Sequence, residues 1–172
     1  MRITYLSNLQ KKFQHFQSQH LKIESKCQKC AVNSLCLPTG LNVQELDELE
    51  LIIASSLITD KNKMLFTIGD EFKSLYVVHS GMFKTTTVDK NGKERIISFH
   101  LPGEIMGLDG IHLNQYQTTA TALTMSSYCK IPYDSLMEMS EDYPVIQKNL
   151  LNVMSKEIYN APDIARVLSS FI

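Results

Sequence analysis

Four cysteines carry the most specific chemistry in this 172-residue chain. Cys27, Cys30 and Cys36 fall within ten residues, spaced Cys-x2-Cys-x5-Cys, and Cys129 follows after 92 intervening residues. The segment around the first three, SKCQKCAVNSLCLPTG, is polar and ends on the breakers Pro38 and Gly40, so it reads as a loop. Unrelated core thiols do not crowd a polar loop, whereas metal-binding thiolates do. Structural disulfides do not persist in a reducing compartment. Structural zinc pairs two close-spaced elements, such as CxxC with a second CxxC or HxxxH, and the second element is missing here. Three clustered thiolates with one remote thiolate are a common way to hold a [4Fe–4S] cube. Cys129 lies in the apolar strand-like run MSSYCKIP, where a lone core thiol is also common. Zinc and unconnected thiols therefore stay as alternatives to the cube.

The charge distribution bears on the same loop. Residues 1–40 hold six basic side chains and one acid, a net of +5, while residues 41–172 carry a net of −6. Either the tail is a solvated basic segment against an acidic body, or its charge offsets something anionic held by the thiolates. Lys26 and Lys29 are placed to do the second. The formal net charge of −1 removes the simplest argument for a nucleic-acid binder, a strongly basic domain.

Other chemistries find no pattern. His15, His20, His79, His100 and His112 are scattered with no nucleophile beside them, and Glu104 and Asp109 sit near turns without forming a recognisable acid–base pair. The glycines are spaced as hairpin turns and not as a GxxxxGK phosphate loop. The chain is read as no enzyme. No apolar run approaches the ~20 residues that span a bilayer, and the N-terminus lacks the apolar stretch of a secretory signal, so a cytoplasmic protein without membrane contact is expected.

The elements that must position the cysteines are legible in part. Ile3, Leu6, Leu9, Phe13 and Phe16 mark a weak amphipathic pattern over residues 1–24. Over 42–56, Asn42 as N-cap and Glu45 three places on form a capping-box pattern, with Val43, Leu46, Leu49 and Ile53 on one face. Residues 57–131 change to short strand-like runs with turns at Gly69-Asp70, Ser80-Gly81, Asn91-Gly92, Pro102-Gly103 and Gly107. Asn91-Gly92 between TTTV and RIISF is the strongest hairpin signal. Such spacing predicts a sandwich, barrel or roll. A short helix is expected at 133–140, and Pro144 opens a longer one whose face includes Val145, Leu150 or Leu151, Met154 and Ile158. Pro162 is expected to interrupt it, with DIARVLSSFI extending or restarting it.

Taken together, CQKCAVNSLCLPTGLNVQELDELE, LFTIGDEFKSLYVVHSGMFK, GKERIISFHLPGEIMGLDGI and SSYCKIPYDSL resemble the fumarate and nitrate reduction regulator (FNR) family. That is the oxygen-sensing branch of the CRP/FNR superfamily. The resemblance spans roughly residues 25–161 and includes all four cysteines in family order. It implies a mainly β fold with flanking helices: a cyclic-nucleotide-binding-like β-roll of the double-stranded jelly-roll type, then a dimerisation helix. The implied organisation is an N-terminal segment with the cysteine loop over 1–40, the β-roll sensor over 41–143 and the dimerisation helix over 144–172. Cys27, Cys30, Cys36 and Cys129 take the places of the cluster ligands. In that family the [4Fe–4S] form is a DNA-binding dimer; oxygen converts the cube to [2Fe–2S] and then to apo-protein, and the dimer falls apart. Leu35 and Leu37, flanking Cys36, either limit oxygen access or simply pack.

Two departures qualify the resemblance. The cyclic-nucleotide branch holds its ligand's phosphate with an Arg-Ser pair after a turn containing Gly-Glu. Here Gly103-Glu104 is present, but the matching region reads Gln115-Tyr116-Gln117-Thr118-Thr119-Ala120, with no cation for a phosphate. A buried unpaired anion is costly, which argues against a cyclic-nucleotide ligand. A cyclic-nucleotide-type or protein-interaction module with zinc-bound or free cysteines is the second reading. In addition, residues 162–172 are too few for the winged helix-turn-helix that follows the dimer helix in the family. No operator binding is expected from this chain alone. Relatives carry an acidic residue near the position of Ala161, so Ala161 favours pairing while Pro162 opposes it. The expected assembly is a weak homodimer through 144–161, or association with a full-length relative.

Overall fold

A computed structural model describes residues 27–33, 36 and 40–169, and for residues 28, 55, 56 and 160–169 the backbone alone. The helical pattern at 1–24, Lys26, Leu35 and Leu37 lie outside the described residues.

Among the described residues the first α-helix, α1 (Val43–Ile52), starts where the capping box says it should. The Glu45 backbone N–H donates to Asn42 Oδ1 at 3.1 Å, and the Asn42 N–H donates to Glu45 Oε2 at 2.8 Å. Leu46, Leu49 and Ile52 are buried, whereas Val43 is 62% exposed and stands off the expected face. The helix also ends earlier than its sequence suggests. Ile53 is extended at its C-cap, and the next residues enter strand β1 (Ala54–Thr59). Pairing of β1 with a later strand overrides the helical continuation that 53–56 would allow alone.

Among the described residues, eight strands build two four-stranded antiparallel sheets. After β1 come β2 (Met64–Phe66), β3 (Ser74–Ser80), β4 (Phe83–Val88), β5 (Glu94–His100), β6 (Ile105–Met106), β7 (Thr119–Ala122) and β8 (Ser126–Pro132). One sheet has the order β1-β8-β3-β6 and the other β2-β7-β4-β5. The predicted hairpin joins β4 to β5. Its turn is tied by Asp89 Oδ1, which accepts from the Asn91 and Lys93 N–H groups, and Gly92 has φ of +78°. Two helices follow, α2 (Tyr133–Asp142) and α3 (Pro144–Ser169). Pro162 does not interrupt α3, contrary to the expectation. A proline forfeits one helical hydrogen bond and strains the turn before it, and the helix-compatible residues after it carry the helix onward.

The core has two layers because strand side chains alternate between faces. Phe66 and Phe83 from one sheet meet Tyr76 and Tyr128 from the other, and Phe66 stacks on Tyr116 with ring centroids 4.0 Å apart. This aromatic layer fills the roll. The opposite face of β3 and β8 presents Leu75, Val77 and Ile131, all fully buried and packed with the helices. Burying a side chain of this size stabilises by about 1.5–3 kcal/mol, so the aliphatic layer fixes the helices on the roll. On α3, Ile146 and Leu150 turn inward; Leu151 is 65% exposed and Ile158 72% exposed, so of the two leucines only Leu150 faces the core.

Candidate functional site

The cysteine loop begins as a 3-10 turn over Cys27–Lys29 and continues as a chain of three-residue turns. The Cys30 N–H donates to the Cys27 carbonyl at 3.3 Å, the Asn33 N–H to the Cys30 carbonyl at 3.1 Å, and the Cys36 N–H to the Asn33 carbonyl at 3.3 Å. Residues three apart eclipse in such turns. The spacing 27, 30, 36 is thus matched to this backbone, with each cysteine at a junction. Asn33 Nδ2 also donates to the Cys27 carbonyl at 2.5 Å.

The loop docks on α1. Cys27 is 8% exposed and belongs to the buried core, as does Val32 among the buried residues. The Cys27 N–H donates to Glu50 Oε1 on α1. Cys129 lies on β8 opposite Val77 of β3, in the row that also carries Ile131. Because Tyr128 points into the aromatic layer, alternation turns Cys129 to the helix-covered face. Cys36 and Cys129 are half-buried and pack on the same core cluster as Cys27. All four are thiols rather than half-cystines.

Burial pushes the Cys27 thiol up to about 12, and the nearby charges of Glu50, Cys129 and Cys30 push the same way. Cys27 is therefore near Cys30 from its own loop and Cys129 from the sheet. Among the described residues, no three His, Cys, Asp or Glu side chains are gathered closely enough to hold a single metal ion. A cube bound through four different irons spreads its thiolates farther apart than one ion does. A bound cation also reverses the local proton logic, because a coordinating thiol gives up its proton outright. Lys29 is exposed at the loop's edge.

Sequence reasoning missed Glu50 and Asn33. Glu50 is one of several acids in ELDELE, and only the docking of the loop distinguishes it. Asn33 reads as an ordinary loop residue until the chain of turns is seen.

The profile of the "Cyclic nucleotide-binding domain" family matches residues 59–143. The "Anaerobic regulatory protein" of Pasteurella multocida is 41% identical over 143 residues, covering 83% of this chain and 52% of the relative. This chain belongs to the CRP/FNR superfamily. Within it, the "Fumarate and nitrate reduction regulatory protein" of Yersinia pestis is 40% identical over 143 residues, 83% of this chain and 57% of that protein. The CRP/FNR chain described here thus spans about half the length of the curated relatives it matches. The catabolite activator protein of Thermus thermophilus shares the fold, with a TM-score of 0.65 and 22% identity over 77% of this chain and 62% of that one. The mainly β roll with flanking helices is therefore the superfamily's sensor-type domain. Among the described residues, no helix is long and apolar enough to cross a membrane.

Proposed function

We propose that this chain is the oxygen- or redox-sensing portion of an FNR-like cytoplasmic transcription regulator. Cys27, Cys30, Cys36 and Cys129 hold an oxygen-labile [4Fe–4S] cluster, and its presence controls dimerisation through residues 144–161. The observation that supports this reading is that Cys27 lies within electrostatic reach of both Cys30 and Cys129, while Cys36 and Cys129 pack on the same core cluster.

When bound, a cluster held by four thiolates supplies an oxidant-sensitive tie between a loop and a strand. The chain's own residues do the rest. Asn33 and the successive turns shape the loop, and Glu50 anchors the Cys27 amide to α1. From α1 the contacts run to the dimer helix. Tyr143, between α2 and α3, donates its hydroxyl to Glu48 Oε2 on α1 at 2.8 Å, and Gln147 on α3 donates to Ser140 Oγ on α2 at 3.1 Å. A loop released from β8 shifts α1, and α1 is tied to the base of α3. That is a local chemical event acting on a packed element that can sit two ways.

The outer face of α3 supports pairing. Leu151, Met154 and Ile158 follow the three-then-four spacing of a coiled-coil seam, and Leu151 and Ile158 are exposed. The test is sedimentation of anaerobically reconstituted protein before and after air. A concentration-dependent dimer that dissociates in air supports the reading. An association state that is the same with and without cluster overturns the control of dimerisation.

A further inference from the structure

One residue separates the last two helices. α2 ends at Asp142 and α3 begins at Pro144, so the direction of α3 is set at Tyr143, with φ of −125° and ψ of 81°. The sequence dictates the break, because the ring of Pro144 disfavours helical backbone at the residue before it. Both helix ends close on this residue. Its N–H donates to the Met139 carbonyl at 3.1 Å, and its carbonyl accepts the Ile146 N–H at 3.0 Å. A one-residue junction with no further tie would let α3 swing.

The side chain of Tyr143 supplies the tie. Its ring is half-buried against the core, and its hydroxyl donates to Glu48 Oε2 on α1 at 2.8 Å. Glu50, two residues further along α1, accepts the Cys27 N–H. Two residues lie about 200° apart around a helix, so these carboxylates reach out on opposite flanks of the fully buried Leu49. α1 thus holds the cysteine turn on one flank and the α2–α3 junction on the other. The chain between the cysteine loop and α1 also meets α3: a Cβ added at Gly40 would lie 3.5 Å from Val145 Cγ2. α1 is ten residues long and seated by Leu46, Leu49 and Ile52, so it moves as a unit. A short helix gripped on both flanks cannot yield on one side without pulling on the other.

We propose that Tyr143 is the hinge of α3 and Glu48 its clamp, so that the seat of α1 couples the cysteine loop to the direction of α3. Both are positioning residues and neither is one of the four thiols. Use of the hinge as an output of the cysteines rests on the sensor reading, whereas the clamp itself operates in the cluster-free chain.

The test is alkylation of Cys27 by iodoacetamide in the reduced, cluster-free protein, followed by peptide mass spectrometry. Cys27 is 8% exposed, so its rate reports how often the loop leaves α1. Tyr143→Phe keeps the ring and removes the hydroxyl. It raises the rate about three- to tenfold, the part of a charge-assisted hydrogen bond that reaches the loop. Glu48→Ala gives a similar rise, and the double variant gives no more than either alone, because each removes the same interaction. Gly107→Ala, in the loop after β6, controls for general loosening and changes the rate less than about twofold. A wild-type rate in Tyr143→Phe, additive effects in the double variant, or an equal rise in Gly107→Ala overturns the proposal. Anaerobically reconstituted protein gives a second readout. Tyr143→Phe takes up iron as the wild type does, but its ratio of dimer dissociation constants without and with cluster falls toward one. A ratio kept at the wild-type value overturns the hinge as output. A wild type with no such ratio sinks the sensor reading instead, and the Cys27 rates still decide the clamp.

Discussion

The cysteine loop and the β6–β7 loop flank the same roll and are built in opposite ways. The β6–β7 loop satisfies itself: Asp109, Tyr116 and Gln115 close it with hydrogen bonds to the chain's own groups. The cysteine loop is a string of three-residue turns, anchored to α1 through the Cys27 amide. On the proposed reading, a loop closed by its own hydrogen bonds serves as scaffold, whereas a loop tied to the roll through a cluster changes state when that cluster is lost. Responsiveness in the proposed sensor then sits with the cysteines, and the β6–β7 loop serves as scaffold.

The largest expected effect is at Cys129. Cys129→Ser removes the one ligand offered by the roll, and the visible absorption of the anaerobically reconstituted protein disappears. An unaltered spectrum would mean that the fourth ligand lies elsewhere. Cys27→Ser is expected to do the same from the loop side.

The scaffold loop breaks through its backbone. Gly107 has φ of +92°, and an added Cβ would lie 3.1 Å from Tyr116 Cε1 and 3.3 Å from the Ser74 carbonyl oxygen. Left-handed backbone costs a non-glycine residue about 1–2 kcal/mol, and the crowding adds to it. Gly107→Ala is expected to lower unfolding free energy by about 2–3 kcal/mol in urea, with the cluster still taken up. A change below about 0.5 kcal/mol would show that the loop relaxes freely and is no scaffold.

A smaller effect is expected at the anchor of the cysteine loop. Glu50→Ala leaves the Cys27 amide without its acceptor and costs about 1–2 kcal/mol, whereas Glu50→Gln keeps an acceptor and costs less. Loss of colour in air should be faster in Glu50→Ala than in Glu50→Gln. Equal rates in both would remove Glu50 from the account.

The smallest effect concerns pH. Burial holds His100 below its ordinary value of 6.5, so the unfolded chain binds the proton first. The contribution of the neutral ring is complete above 6.5 and is lost as pH falls through the lower folded value. His100→Gln should flatten the fall in stability below 6.5, measured by urea unfolding across pH. An equally steep fall in the variant would assign it to other groups.

Much of this was legible in the residues. Asn42 and Glu45 announced the start of α1, because a capping box is a local pattern with a local structure. The Asn91-Gly92 hairpin was legible for the same reason. The end of α1 was not, since β1 exists by pairing with β8, far away in sequence. β2 and β6, three and two residues long, are too short to show a period. Pro162 broke no helix because local cost does not decide a 26-residue element. At the site, the four cysteines stood out by type and spacing. Glu50 and Asp109 did not, because a carboxylate's role here depends on which backbone N–H or hydroxyl reaches it.

The central claim is tested most directly by the visible spectrum, with iron and acid-labile sulfide analysis, of protein purified without oxygen and then exposed to air. The account predicts a brown protein with about four irons and four sulfides per chain that bleaches in air. A colourless chain that takes up no iron on anaerobic reconstitution would contradict it.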